Sequence, residues 1–539
     1  MSEQRPNLLS GDQALARGAL ASGVRLVTSY PGSPSLGTIE SLLGIARDHD
    51  IYVEWSANEK VALEMGIGAS IAGRRVLVCA KSVGMNAMID PLMALNLTPV
   101  KGGMVILLGD DPGAYGSQND QDTRLIAPML EMPMLEPATP SEGYAMMAAA
   151  FTASEEFNTP VIIRVTRSYA QRMESTAISE EPSREFNPGF TREPWRFVPV
   201  PGNAVAKHKE LHARLERMAT WIDGLPFHRS SGAGSQGVLA AGFVYQKLID
   251  IIGTADQVGF RVLKAGCHYP LPKDLVSIFL KSCQQVLVLE ENEPFLEERI
   301  KALAYDLGTH TNIYGKQSGH LPREGELYRW QIQRALSRFI PDFHPATSYQ
   351  ESTEAQEIPG KENHCAGAGY GQVLDALEAA AKTLGQKLVL CGDPGCLVTV
   401  AERLDAKFAI GSAVGVADGF SKAGAAERAV ALFGDSAFFH SSIPAICNAV
   451  HNRSTIMMVL LDNQSTASTG HQPNPGNAKD AFGRNAPGLS MEQIARACGV
   501  QHIFPASTRG SKDSLMTAFK LALLTHELAL VIVRIEPAQ

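Results

Sequence analysis

The chain has 539 residues, of which 45% are hydrophobic and 19% charged, and carries a formal net charge of −8. A single core rarely grows past ~250–300 residues, so more than one domain is expected. The negative balance gives no electrostatic footprint for nucleic acid or an anionic membrane. The reading is therefore a soluble enzyme with no nucleic-acid or membrane partner. No apolar run reaches ~18 residues, and Met1–Ser10 is polar without a signal-peptide core, which makes the cytoplasm the expected location. The eight cysteines (Cys79, Cys267, Cys283, Cys365, Cys391, Cys396, Cys447 and Cys498) include no Cys-x-x-Cys pair and no ferredoxin-like run. Reduced, mainly structural thiols are expected, with no iron–sulfur cluster in this chain.

Three α/β blocks are expected along the chain. In residues 1–178, strand-like runs at Val24–Thr28, Val76–Cys79, Met104–Leu108 and Val161–Val165 alternate with helical patterns such as Ala57–Ala72. That alternation predicts a parallel, helix-covered sheet. Residues 179–236 read as an irregular connector with one helix, Ala204–Ile222, and a linker-like Ser230–Ser235. The second block, 237–344, has strands at Gly237–Ala241, Phe260–Leu263 and Val286–Leu289; residues 345–363 are a polar connector. The third block, 364–539, places strands at Lys387–Leu390, Ala429–Phe433, Ile456–Leu461 and Leu530–Ile535, and a helix at Ser441–His451.

The third block carries the sharpest chemical signal. Gly434-Asp435-Ser436 ends one strand, and Asp462-Asn463 ends the next. An acidic and an amide side chain at neighbouring parallel strand ends suit one hard divalent cation, most naturally Mg²⁺, which takes few protein oxygens and otherwise phosphate and water. Gly434 allows close backbone approach, and the following helix N-terminus favours a diphosphate. A backbone carbonyl near Ser465 would complete the metal set of Asp435, Asn463 and Ser465. Gly392-Asp393 follows an apolar strand, and Gly411-Ser412 is built of small residues; both are expected beside the bound group. The spacing from Gly434-Asp435 to Asn463 resembles the signature of thiamine diphosphate (ThDP) enzymes.

ThDP chemistry also needs a carboxyl group at the aminopyrimidine ring and a dry pocket. The first block offers Glu54, Glu59 and Glu64 around Glu54-Trp55-Ser56-Ala57-Asn58-Glu59-Lys60, and the residues alone leave the three in competition. Glu59 would sit in the first turn of a helix, where its charge meets the favourable end of the dipole.

Longer motifs add a resemblance. They are Tyr30-Pro31-Gly32-Ser33-Pro34-Ser35, Glu54–Glu64, Lys81-Ser82-Val83-Gly84-Met85-Asn86, Ser117–Arg124, Gly434–His440, Leu461-Asp462-Asn463 and Thr469-Gly470-His471-Gln472-Pro473. On these the chain resembles the large, ThDP-binding subunit of indolepyruvate:ferredoxin oxidoreductase, within the 2-oxoacid:ferredoxin oxidoreductase superfamily. The resemblance covers blocks one and three closely and block two loosely, through Tyr269-Pro270-Leu271-Pro272 and Glu290–Glu297.

That resemblance implies two doubly wound ThDP-type domains, pyrimidine-binding first and diphosphate-binding last, flanking a transketolase-C-like domain. It implies Glu59 as the activating carboxylate and Asp435 and Asn463 as metal ligands. Ser33 would lie near the reacting centre, and Ser436, Thr469 and Gly470 along the cofactor. His440 and His471 would face cofactor or substrate, or else be satisfied histidines at a domain interface. Lys81, Asn86, Gln118 and Arg124 are weaker pocket candidates, Arg124 being equally an ion-pair partner.

The resemblance points to decarboxylation of an arylpyruvate such as indolepyruvate or phenylpyruvate. Met85, Met88, Phe438 and Phe439 suit either an aromatic substrate or plain core packing. At the strand end where pyruvate enzymes carry a carboxylate-binding arginine stand Asp110-Asp111-Pro112. The chain departs from the family in the expected cysteine pair, here Cys365-Ala366-Gly367-Ala368, and in ending at Gln539 without a cluster-binding module. Electrons are therefore expected to pass to a small partner subunit or redox partner, with coenzyme A as an acyl acceptor and a homodimeric core. The competing expectation is a non-oxidative decarboxylase or carboligase.

Overall fold

The computed structural model describes residues 6–178, 189–190, 192–354, 364–365 and 369–536. The expected connector residues 179–188 and 355–363, and the Ala366–Ala368 departure, lie outside them. By internal packing the chain forms two compact units: Met1–Val53 with Glu59–Lys361, and Glu54–Asn58 with Glu362–Gln539.

The first unit contains two large sheets and a two-stranded antiparallel pair, Pro6–Ser10 with Met173–Ala177. The larger has the order Cys267–Tyr269, Met134–Leu135, Val161–Thr166, Met104–Asp110, Val76–Lys81, Leu26–Ser29, Tyr52–Trp55. From Leu26–Ser29 through Met134–Leu135 its pairs are parallel, whereas Cys267–Tyr269 runs antiparallel to Met134–Leu135. The strands Val76–Lys81, Met104–Asp110 and Val161–Thr166 are almost continuously buried, as parallel strands covered on both faces must be. The smaller sheet has the order Asn312–Tyr314, Gln285–Leu289, Gln236–Ala241, Arg261–Ala265, Arg229–Ser231. Its last strand is antiparallel and falls partly in the stretch expected to be a linker. Three short polar residues at a sheet edge carry no alternation from which a strand could be read. The helix expected in this region is present at Ala204–Asp223.

A buried ion network lies between the strand ends of the two sheets. Arg124, 2% exposed, bridges Asp122 at 2.6 Å and Glu290 at 2.8 Å, and also donates to the Glu291 and Glu293 carbonyls. Arg164 bridges Asp110 at 2.7 Å and Glu136 at 2.5 Å, and His268 meets the same Glu136 at 2.5 Å. Lys247 holds Glu291 and Glu326, each at 2.8 Å. Burial pushes Glu136 upward, but the Arg164 guanidinium and His268 outweigh it and hold the carboxyl well below its usual range. Burial likewise opposes ionisation of Asp122, and Arg124 wins there too. Arg124 is thus a structural ion-pair partner.

The second unit holds a parallel six-stranded sheet of order Ala406–Lys407, Leu388–Gly392, Arg428–Gly434, Met457–Asp462, Ala529–Arg534, His502–Ser507. Apolar cores cover both of its faces. The chain runs outward from Leu388–Gly392 to Ala406–Lys407, then crosses to the other side at Arg428–Gly434. This reversal is the topological switch at which open parallel sheets bind ligands, beyond their carboxyl ends. Cys365 and Cys396 are joined by a disulfide, which corrects the expectation that all eight cysteines are thiols; their separation of 31 residues carries no recognisable spacing.

Replacing Arg164 by Met strands two buried carboxyls and should cost about 3–5 kcal/mol at neutral pH in denaturant unfolding. Burial raises the Asp110 pKa, whereas Glu136, and Asp122 beside Arg124, have native pKa values below their unfolded ones. Their contribution is therefore present above about pH 4 and is lost as pH falls through the native values. The Arg164→Met deficit should accordingly shrink on acidification, because protonation removes the stranded charge.

Candidate active site

In the second unit, three strands deliver their carboxyl ends to one place. Gly392 pairs with Leu432 and Gly434 with Leu461, so Asp393, Asp435 and Asp462-Asn463 emerge at successive strand ends. Asp435 opens the next helical segment and is 2% exposed. Its Oδ2 accepts from the Asn474 amide at 2.9 Å, and the backbone N–H groups of Ser436 and Ser465 also bond to it. Burial raises its pKa to about 7, Asp462 adds a like charge, and these neutral donors only partly offset both. A desolvated carboxyl with neutral donors beside another carboxylate has the chemistry of a cation ligand. Asn463 donates its amide to Tyr370 Oη at 2.8 Å, and its Oδ1 accepts the Ser465 N–H at 3.1 Å. An oxygen of the hard type that Mg²⁺ prefers is thereby fixed one strand from Asp435.

Asp393 is fully buried. It accepts the N–H of Gly411 at 2.9 Å and of Ala413 at 2.8 Å, and so ties the glycine-rich turn to the neighbouring strand end. Gly411 has φ +80°, and a Cβ there would meet Ser441 Oγ at 2.1 Å, so only glycine fits. Gly392 packs against Leu404. The Ser436 and Thr466 hydroxyls bond at 2.6 Å. Thr466 and Gln472 form a bridge that closes the loop containing Thr469 and Gly470, and Thr469 Oγ1 donates to Gln472 Oε1 at 2.7 Å. His471, exposed and at φ +63°, meets Ser465 Oγ at 2.9 Å.

His440 is buried and meets Ser441 Oγ at 2.8 Å. It lies within a π-turn, Phe438–Ser442, so the expected helix begins later, at Ile443. Such turns often mark functional positions. Phe438 is fully buried and packs edge-on to Phe439, and Met85 and Met88 belong to the core; for these three buried side chains, packing is the observed role.

The three competing carboxylates separate: Glu59 and Glu64 belong to the first unit and Glu54 to the second. Glu64 is on the surface, paired with Lys60. Glu54 is half-buried and accepts from Ser56 at 2.6 Å. Glu59, at the first position of helix Glu59–Ile71, is buried. Gly84 makes that possible, because a Cβ there would meet Glu59 Oε1 at 2.3 Å. Ser33 is exposed, within a turn whose Gly32 packs on Lys81 and whose Pro34 and Ser35 pack on Gly109. Asn86 pairs with Gln121, Gln118 is exposed, and Lys81 donates to the Gly116 carbonyl. Asp111 accepts from Gly116 N–H and Ser117 Oγ, so this strand end organises its own loop.

Three contributors escape the sequence patterns: Asn474, Tyr370 and Thr466. Asn474 lies one residue past the Thr469–Pro473 motif, and its Asn-Pro-Gly turn chemistry was the available signal. Tyr370 opens a helix about 90 residues from its partner and carried none.

Asp393→Ala should lose about 1–3 kcal/mol through unmet backbone donors. Burial raises the Asp393 pKa to about 7, with the N–H groups of Ala413, Gly411 and Ser412 opposing it. Its contribution is therefore complete below about pH 4 and is lost as pH rises through 7. Relative to Asp393→Asn, the wild type should lose stability over that window, as thermal unfolding at several pH values would show.

Residues 17–199 match the family described as "Pyruvate flavodoxin/ferredoxin oxidoreductase, thiamine diP-bdg", and residues 388–533 match "Thiamine pyrophosphate enzyme, C-terminal TPP binding domain". The indolepyruvate oxidoreductase subunit IorA of Methanothermobacter marburgensis is 35% identical over 97% of this chain and 85% of its own. The same subunit of Pyrococcus abyssi is 32% identical over 98% and 85%. Among solved structures, a 2-oxoglutarate:ferredoxin oxidoreductase from Magnetococcus marinus aligns at a TM-score of 0.43 and 12% identity. It covers 58% of this chain and 63% of that one, a likeness on which nothing here rests.

Proposed function

The chain belongs to the indolepyruvate oxidoreductase IorA family of ThDP-dependent 2-oxoacid oxidoreductases, and from that premise we propose that it decarboxylates an arylpyruvate, indolepyruvate foremost, and passes the electrons to a partner. The observation that carries the proposal is the buried Asp435 carboxyl, held by neutral donors at a strand end beside the Asn463 amide oxygen.

When bound, ThDP supplies the carbon that attacks the 2-oxo group and takes up the electron pair released with carbon dioxide. Asp435, Asn463 and the Ser465 carbonyl would hold Mg²⁺, whose charge would offset that of the diphosphate. The turn fixed by Asp393 presents Gly411 and Ser412, and the Thr466–Gln472 loop presents Thr469 and Gly470. Glu59 accepts and returns a proton at the aminopyrimidine; its burial, made possible by Gly84, keeps that exchange out of water. Ser33, His440 and His471 serve the reacting end. The acceptor is a partner subunit, with coenzyme A taking the acyl group, and the core is a homodimer. Among the described residues no helix is long and apolar enough to cross a membrane.

Single-turnover mixing of the ThDP- and Mg²⁺-loaded chain with indolepyruvate should release about one equivalent of carbon dioxide and then stall until an electron acceptor is added. Sustained aldehyde release without an acceptor would overturn the oxidative reading.

A further inference from the structure

Away from the strand ends, the first unit gathers two imidazoles and a carboxylate. His208 and His212 lie four residues apart on the helix Ala204–Asp223, and that spacing puts them on one face, one turn apart. Their ring centroids are 4.3 Å apart. Both aim Nε2 at Glu131: His208 meets Oε2 at 2.8 Å and His212 meets Oε1 at 2.8 Å. Glu131 itself caps the short helix Ile126–Leu130, in left-handed backbone at φ +52°. The three ligand atoms all fall within 4.8 Å of one another.

We propose that Glu131, His208 and His212 form a zinc site, with water as the fourth ligand. Zinc bonds of 2.0–2.2 Å in a tetrahedron separate ligand atoms by about 3.3 Å. The two imidazole–carboxylate separations of 2.8 Å therefore need to open by about half an ångström to admit the ion. The imidazoles are 48% and 57% exposed, so they have room to do so and leave the fourth position open to solvent. Two nitrogens and one carboxylate select zinc over the hard Mg²⁺ of the cofactor site, which prefers oxygen alone.

The consequence is mechanical rather than catalytic. The helix is otherwise tied to the first sheet's surroundings by Lys207, which donates to the Arg196 carbonyl at 2.9 Å, and by Arg214, which donates to the Asn96 carbonyl at 2.7 Å. A bound ion staples the same helix to the turn that follows buried Arg124. None of the three ligands belongs to the proposed cofactor machinery.

The test is calorimetric titration of the full, chelator-stripped chain with zinc chloride in the absence of ThDP and Mg²⁺. One zinc per chain is expected. His208→Gln and His212→Gln should each weaken binding by at least the ~100-fold that loss of a mere outer-shell partner can cost. Asp435→Ala should leave this binding intact. Cobalt(II) should give the intense visible bands of a tetrahedral site, lost in either histidine variant, and zinc should raise the unfolding temperature of the wild type but not of His212→Gln. Absence of stoichiometric zinc, or binding that survives both histidine variants and disappears in Asp435→Ala, would overturn the proposal.

Discussion

Asp435 stands at the end of a strand covered on both faces, and its carboxyl has been taken out of water with no positive partner among the described residues. Burying a charge in that way is costly unless something neutralises it, and the surrounding groups are arranged as though a cation were part of the fold. Asn474 and two backbone N–H groups orient the carboxyl, and Tyr370 orients the neighbouring Asn463 amide. Strand register does the rest, since parallel pairing fixes Gly434 against Leu461 and so sets Asp435 and Asn463 on adjacent strand ends. The Gly411 turn, tied down by Asp393, extends the same surface.

The first unit solves a different problem with related means. Its two sheets are joined through ions that water does not reach, and here each guanidinium is shared between two carboxylates. Such pairs add little net stability over an apolar contact, but breaking one is expensive because a charge is left behind. They therefore fix one arrangement of the two sheets. Within that frame Glu59 lies at a helix start, and Gly84 clears the space its carboxylate occupies.

The architecture was largely legible because parallel strands buried on both faces must be written in unbroken apolar residues. Val76–Lys81, Met104–Asp110 and Met457–Asp462 were recognisable to within two residues. The placement of Asp435 and Asn463 at neighbouring strand ends was legible because a glycine-acid step and an amide after apolar runs form a local pattern. Contacts made at long range were not. Nothing near Tyr370 announces its bond to Asn463, and nothing near Gly84 announces the carboxylate it faces. The edge strands Arg229–Ser231 and Cys267–Tyr269 are too short to show a period, and the Cys365–Cys396 pairing leaves no trace in spacing. On the residues alone Glu54, Glu59 and Glu64 stood level and the family resemblance singled out Glu59; the folded chain adds that Glu59 is buried while Glu64 pairs with Lys60 at the surface.

The central claim is that Glu59 activates the cofactor. It is tested most directly by loading the chain with ThDP and Mg²⁺ and following exchange of the thiazolium C2 proton with deuterated water, in the wild type and in Glu59→Gln. The account predicts exchange slower by about 10²–10⁴-fold in the variant, the range that a positioned acid–base group contributes, with cofactor retention preserved. Equal exchange rates in the two proteins would contradict it.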